Sequence, residues 1–454
     1  MNSFFKRTLA FVAALVLTVP LLAQDTTRLS LLFAGDVMGH DSQIASAYNA
    51  ATKSYDYTSC FQYIKPYIES ADLAIGNLEV TLAGPPYKGY PQFSSPDELA
   101  VTLRNIGFDA LVTANNHSVD RGKQGIIRTI DVLDSLKIPH TGTFKDSAER
   151  AASYPLMLYK HGFSIALLNY TYGTNGIPVR KPNIVNPLDT ALIRRDLLRA
   201  KESKPDVIIV FTHWGNEYER LPTKAQKSLA DFCFKHGANL VIGAHPHVIQ
   251  PMEWRKESNQ FVVYSLGNFV SGQRKQYTDG GSMAYLELEK VSYSSDSSQM
   301  RIADAGYYLQ WVYRTPDANK HYYIIPGLEK NHKLVRDAGS KAAFETFLND
   351  SRTLSAKHNV NVPELRELRT PPSEHYSVLL LTTEPQEDPW AILTSQRDYV
   401  WGVDRFDDGD NVYWASGKFA TYDAASKYLE RYKAQHPDAK VVSIKGGKLS
   451  HEIE

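Results

Sequence analysis

Asp36, Asn77, Glu79, Asn115, Asn116, His117, His213, His245 and His247 each close or follow a short apolar run. The runs are "LSLLFAGD", "ADLAIGNLE", "DALVTANNH", "DVIIVFTH" and "ANLVIGAHPH". Carboxylate oxygens, amide oxygens and imidazole nitrogens make a mixed set of hard and borderline donors. Such a set suits one or two divalent transition ions (Zn, Mn or Fe) better than Ca²⁺. Taken singly, each piece is ordinary. Gly35-Asp36 fits a turn, "GNLE" a surface loop, and "NNH" a helix N-cap. "GAHPH" says more, because two histidines one residue apart after a strand and a glycine can present both rings to one centre. The ordered combination of all five is what points to a metal site.

The elements that must position these residues follow from the same runs. Short apolar runs from Arg28 onward alternate with helical periods such as Gly125–Leu136 and Thr223–His236. That alternation predicts an α/β domain with a layered sheet. In such a sheet the loops beyond the strands' carboxyl ends collect into one crevice. "FVVYSLGNF" is predicted as a further strand, and Met283–Leu309 as strands added on a second sheet. Residues 340–358 are predicted to be helical. "LRTPPSEH" has the paired prolines of a stiff linker. Beyond it a small α+β unit begins with strand-like "YSVLLLTT" and ends strand, helix, strand.

Bulk properties narrow the function classes. A chain of 454 residues favours two domains over one core. Lys+Arg and Asp+Glu each number 50, so no basic excess points to nucleic acid. The same balance gives no general attraction for a polyanion and leaves room for a local basic groove. The two cysteines, Cys60 and Cys233, are too few for a disulfide framework or a cysteine zinc site. They are expected as buried thiols, with a single long-range bridge as the alternative. Lys6 and Arg7 precede the apolar run Leu9–Leu22, and Ala23 follows it. This is the order of a secretory signal peptide over residues 1–23, or of an inner-membrane anchor if it stays uncleaved. The expected location is therefore the periplasm or cell envelope, with no other membrane span.

The ordered set "AGDVM", "IGNLE", "TANNHSVDRG", "THWGNEY", "GAHPHV" and "YSLGNF" resembles the CapA, or poly-γ-glutamate capsule synthesis, family over residues 29–310. The resemblance implies a four-layer αββα fold related to calcineurin-like metallophosphoesterases, here over residues 24–320, with a helical extension and linker over 321–373. It also implies roles. Asp36 and His247 match ligands of a first metal, and Asn116, His213 and His245 match ligands of a second. Glu79, with Asn77 beside it, stands where a bridging Asp is usual. His117 matches the histidine that assists the leaving group, with Asp120 to orient it.

Two departures fall on the first metal: Met38 replaces a histidine ligand, and Glu79 is longer than the usual Asp. Glu217 and His40 are candidates to compensate, as ligand or general base, or are solvated loop residues. "VYWASGKFATYDAASKYLERYKAQHPDAKVVSIKGGK", within residues 374–454, resembles SPOR domains, which implies a peptidoglycan partner, with Tyr413, Trp414 and Trp401 as candidates for sugar stacking or as core; a generic small α/β domain is the alternative. The implied activity is a metal-dependent hydrolase or transferase acting on an anionic polymer such as poly-γ-glutamate. A non-enzymatic polymer-binding scaffold and a phosphoesterase are the alternatives.

Overall fold

The computed structural model describes residues 25–294, 297–318, 320–369, 374–384 and 403–452, apart from 409, 420, 431, 434, 435 and 447. Burial with period two sorts the strand side chains into separate cores. In the strand Asp25–Val37, Leu29, Leu31 and Phe33 enter one core, while Leu32 and Ala34 enter a second. The strand Phe163–Thr171 sends Phe163, Ile165 and Leu167 to the first core, and Ala166, Leu168 and Tyr170 to a third. Such alternation follows from the pleat, and two apolar faces per sheet require a covering layer on each.

The first core joins the two sheets face to face. Helices Glu98–Asn105 and Gly122–Ser135 close the second through Leu99, Leu103 and Leu133. Helices Thr190–Glu202 and Lys224–Lys235 close the third through Ile193, Leu197, Ala230 and Cys233. The layers therefore run helix, sheet, sheet, helix, as the family resemblance implies. Leu31, Phe33, Ile165, Ile209 and Ile242 are all fully buried at the centre. Each such side chain stabilises the fold by about 1.5–3 kcal/mol.

In the larger sheet Asp25–Val37 pairs in parallel with Leu73–Leu78, which pairs in parallel with Ala110–Val112. In the six-stranded sheet Phe163–Thr171, Val207–His213 and Leu240–Ala244 also run parallel. Two sequence expectations need correction. The strands Gly280–Ser294 and Ser297–Arg314, expected on a second sheet, extend the larger one, because Gly280–Ser294 pairs antiparallel with Asp25–Val37. "FVVYSLGNF" is not one strand. Gln260–Val263 belongs to the six-stranded sheet, and after Gly267 at φ 75° the chain crosses to pair Asn268 with Asp36. Cys60 and Cys233 are buried free thiols. Ala338–His358 forms the expected long helix.

The C-terminal strands Glu374–Thr383, Val412–Phe419 and Lys440–Lys445 and the helix Tyr422–Leu429 fall where the sequence places them. Their sheet meets the larger one where Thr27 pairs with Phe419. Trp414 is buried and donates from Nε1 to Thr383 Oγ1 at 3.1 Å, so it packs the unit rather than facing a ligand. The signal segment 1–23, the prolines at 371–372 and Trp401 lie outside the described residues. Among the described residues no helix is long and apolar enough to cross a membrane.

Candidate metal centre

The carboxyl ends of five parallel strands meet between the two sheets. Register places Asp36 beside Asn77 and His213 beside Ala244, the residue before His245. The approach of the backbone at 266–267 makes Gly35 necessary. A Cβ there would stand 1.9 Å from Gly267 O, which accepts the Asp36 N–H at 3.0 Å. His245 and His247 flank Pro246 with φ of 99° and 58°. Left-handed backbone costs a non-glycine residue about 1–3 kcal/mol and persists where its surroundings enforce it.

Two groups of donor atoms result, and they share one residue. Glu79, His213 and His245 form one, and Asp36, Glu79 and His247 form the other, each with its atoms within 4.8 Å of one another. His213 Nε2 lies 2.7 Å from Asn116 Oδ1 and 3.4 Å from Glu79 Oε1. His247 Nδ1 lies 3.2 Å from Asp36 Oδ2, and the His245 N–H donates to the same oxygen at 3.3 Å. Nitrogen and oxygen donors about 2.0–2.2 Å from a common ion have spacings of this order.

The electrostatics are those of a site built for a cation. Glu79 is fully buried, and neither carboxylate oxygen has a hydrogen-bond partner. Burial, then Asp36, Glu217 and Asp120, push its carboxyl well above the usual range. Burial, then the neighbouring His245, His247 and His117, hold His213 well below an ordinary imidazole. Burial, followed by His247, takes His245 down to about 3, and its Nδ1 is buried without a partner. Neutral imidazoles are the ligating form, and a bound cation favours the ionised form of Glu79. The orphaned oxygens and nitrogen fit a divalent ion of the Zn, Mn or Fe type.

The other sequence candidates take distinct places. Asn77 Nδ2 donates to Asp36 Oδ1 at 2.8 Å, and its Oδ1 accepts from Asn115 Nδ2 at 3.3 Å. Asn77 therefore braces Asp36 in this arrangement. Asn115 is a turn residue, whose Oδ1 accepts the His117 N–H at 3.1 Å. His117 Nδ1 lies 2.8 Å from Asp120 Oδ2, which also accepts the Phe93 N–H at 2.7 Å. Glu217 is exposed in the loop after Val207–His213. His40 is in neither donor group. Its Nδ1 accepts the Gly272 N–H at 3.1 Å, and burial lowers its pKa to about 4.

Sequence reasoning missed two residues. Asn268 Oδ1 lies 3.0 Å from His247 Nδ1 and holds that ring. Its signal was present, since "GNF" repeats the Gly-Asn of "GNLE" after an apolar run. Tyr172 is half exposed and stands 4.5 Å from the His245 ring. It had no sequence signal beyond following a strand.

Comparison with known proteins finds curated relatives over more than half of the chain. The PGA biosynthesis protein CapA of Bacillus subtilis is 30% identical over 273 residues, 58% of this chain and 68% of that protein. The capsule biosynthesis protein CapA of Bacillus anthracis is 27% identical over 284 residues, 59% of this chain and 66% of that protein. The chain thus spans about two thirds of each relative's length. Among solved structures it is loosely similar to NAD nucleotidase of Haemophilus influenzae (TM-score 0.39, 12% identity, covering 92% of this chain and 95% of that one). A phosphatase of Mycoplasma pneumoniae is another such likeness (TM-score 0.33, 14% identity, 61% and 94%). Residues 30–273, just over half of the sequence, match a single family throughout. The chain belongs to the bacterial capsule synthesis protein PGA_cap family.

Proposed function

We propose that this chain is an exported, metal-dependent hydrolase or transferase acting on an acidic envelope polymer. Poly-γ-glutamate is the substrate class suggested by the names of its relatives. The observation that carries the reading is Glu79, a buried carboxylate with both oxygens orphaned and shared by two histidine-bearing donor groups. Asp36, Glu79 and His247 would hold one divalent transition ion, and Glu79, Asn116, His213 and His245 a second. A bound ion supplies Lewis acidity toward a carbonyl or phosphoryl oxygen and acidifies water.

The chain's own residues supply the proton chemistry. Asp120 fixes His117 at Nδ1, which leaves Nε2 to protonate the leaving group. Phe93 packs edge-on against that ring at 4.6 Å and limits its rotation. Tyr172 stands over the His213–His245 pair and screens it from water. Signal-dependent export and peptidoglycan contact through residues 374–454 complete the proposal. Export is supported by the charged, apolar, small-residue order of residues 1–23, and peptidoglycan contact by the resemblance to SPOR domains.

The test is a substrate panel of γ-linked oligoglutamate, peptidoglycan fragments and an aryl phosphate, run on wild type and His117→Ala. Turnover of the oligoglutamate is expected, falling about 10²–10⁴-fold in the variant while the metal is retained. Turnover of the aryl phosphate alone would make the chain a phosphoesterase. Absence of both turnover and bound metal would contradict the enzymatic reading, and loss of metal in His117→Ala would make that residue a ligand.

A further inference from the structure

The loop between the strands Asn268–Val270 and Gly280–Ser294 joins the metal centre to a second feature. Asn268, which holds His247, also donates from Nδ2 to Gln273 Oε1 at 2.9 Å and to Thr278 O at 2.8 Å. The loop is thus pinned to the site by the same amide. It carries Arg274 into a cleft of about 440 Å³, lined also by Trp311, Arg314, Lys320 and the first turn of the helix Ala338–His358.

Arg274 is incompletely satisfied there. Its Nη1 donates to the carbonyls of Ser271 and Gln273, but its Nη2 is buried with no partner. Two carboxylates also line the cleft. Asp279 Oδ2 accepts from Trp311 Nε1 at 2.8 Å, and Asp337 Oδ1 accepts the Ser340 N–H at 2.7 Å as the helix cap. Burial and the charge of Arg314 oppose the charge on Arg274, while Tyr322, whose ring lies 5.3 Å from its Cζ, and Asp279 favour it. A guanidinium does not deprotonate in proteins, and Arg274, Arg314 and Lys320 outnumber Asp279 and Asp337 along the cleft, so an incoming anion would offset the excess of cations. Its planar fork suits carboxylate or phosphate. Although the chain's net charge is zero, this cleft is a local basic site.

We propose that the Arg274–Arg314 cleft is an anion subsite, taking a carboxylate or phosphate of the substrate chain whose reacting bond lies at the metal centre. The inference rests on the proposed function for the identity of that chain, and on the cleft's geometry for the anion itself.

The experiment uses the full chain freed of metal by chelator, and follows binding of a labelled γ-linked oligoglutamate by fluorescence polarisation. Wild type is expected to bind it in this metal-free form, because the cleft needs no metal. Arg274→Gln and Arg314→Gln are expected to weaken binding about 10-fold or more, the scale for losing hydrogen bonds to a charged group. A neutral oligoglutamine should not compete. No binding of the oligoglutamate, with inorganic phosphate raising the thermal melt of wild type but not of Arg274→Gln, would identify the anion as a phosphate. If Arg274→Gln fails to fold, as judged by its thermal melt, the partly exposed Arg314→Gln carries the test. Binding unchanged in the arginine variants, or equal competition by the neutral chain, would overturn the proposal. Failure of the metal reading would show separately, as absence of metal from untreated protein.

Discussion

Two buried clusters of acids and histidines among the described residues are compensated in opposite ways. At the junction with the C-terminal strands, Asp72, Asp109, His161 and Asp404 are met by Lys160 and Lys418. Lys160 Nζ lies 2.7 Å from Asp404 Oδ1, and His161 Nε2 lies 3.2 Å from Asp72 Oδ1. Lys418 pairs with Asp72, which also accepts from the Ser30 backbone and hydroxyl. Burial alone would raise Asp72 and Asp404, but His161 and the lysines outweigh it and hold both carboxyls below the usual range. At the strand ends, Asp36, Glu79, His213, His245 and His247 include no lysine or arginine, and Glu79 and His245 are left with orphaned atoms. A buried acid cluster that brings its own cations is a structural joint. One that lacks them is arranged for a cation from outside.

The largest effect that would break this contrast is loss of the metal. His245→Ala should lower transition-metal affinity well beyond the roughly 10-fold scale of outer-shell losses, whereas Glu217→Ala should not. Competition with a chromogenic chelator measures both, and equal retention in the two variants would remove His245 from the ligand set.

The joint should respond to the opposite treatment. Lys160→Ala leaves Asp109 without its cation and Asp404 with His161 and Lys418 alone. Breaking such a pair costs about 3–5 kcal/mol of stability, readable by denaturant unfolding, while metal content per folded molecule stays unchanged. A loss below about 1 kcal/mol would mean that water already reaches the joint.

The smallest effect has a distinctive sign. Burial, partly offset by Lys160 and the Ala74 N–H, raises Asp109 from 3.8 to about 6. A raised carboxyl favours the fold fully below pH about 4, and that benefit is lost as pH rises through about 6. Asp109→Asn should therefore stabilise the protein at pH 8 by up to about 3 kcal/mol and by nothing near pH 4. A gain independent of pH would show that burial is not the cause.

How far the sequence reached differs between the two clusters. The metal-centre residues were legible because each sits at the end of an apolar run, where parallel strands must open into a crevice. The layered fold was legible for the same reason, since alternate burial along Asp25–Val37 and Phe163–Thr171 is written in their side chains. The joint was not. Asp72, Lys160, His161, Asp404 and Lys418 are common residue types whose meeting depends on how distant strands are paired. Asn268 fell between these cases, because the run that carries it is split between two sheets by the turn at Gly267.

The most direct measurement of the central claim is elemental analysis of the full chain purified without chelator, beside the Glu79→Gln variant. The account expects one or two equivalents of a divalent transition metal in wild type and a large loss in the variant, because Glu79 is common to both donor groups. Wild-type protein without stoichiometric metal, and unable to take it up on dialysis against Zn²⁺ or Mn²⁺, would contradict it.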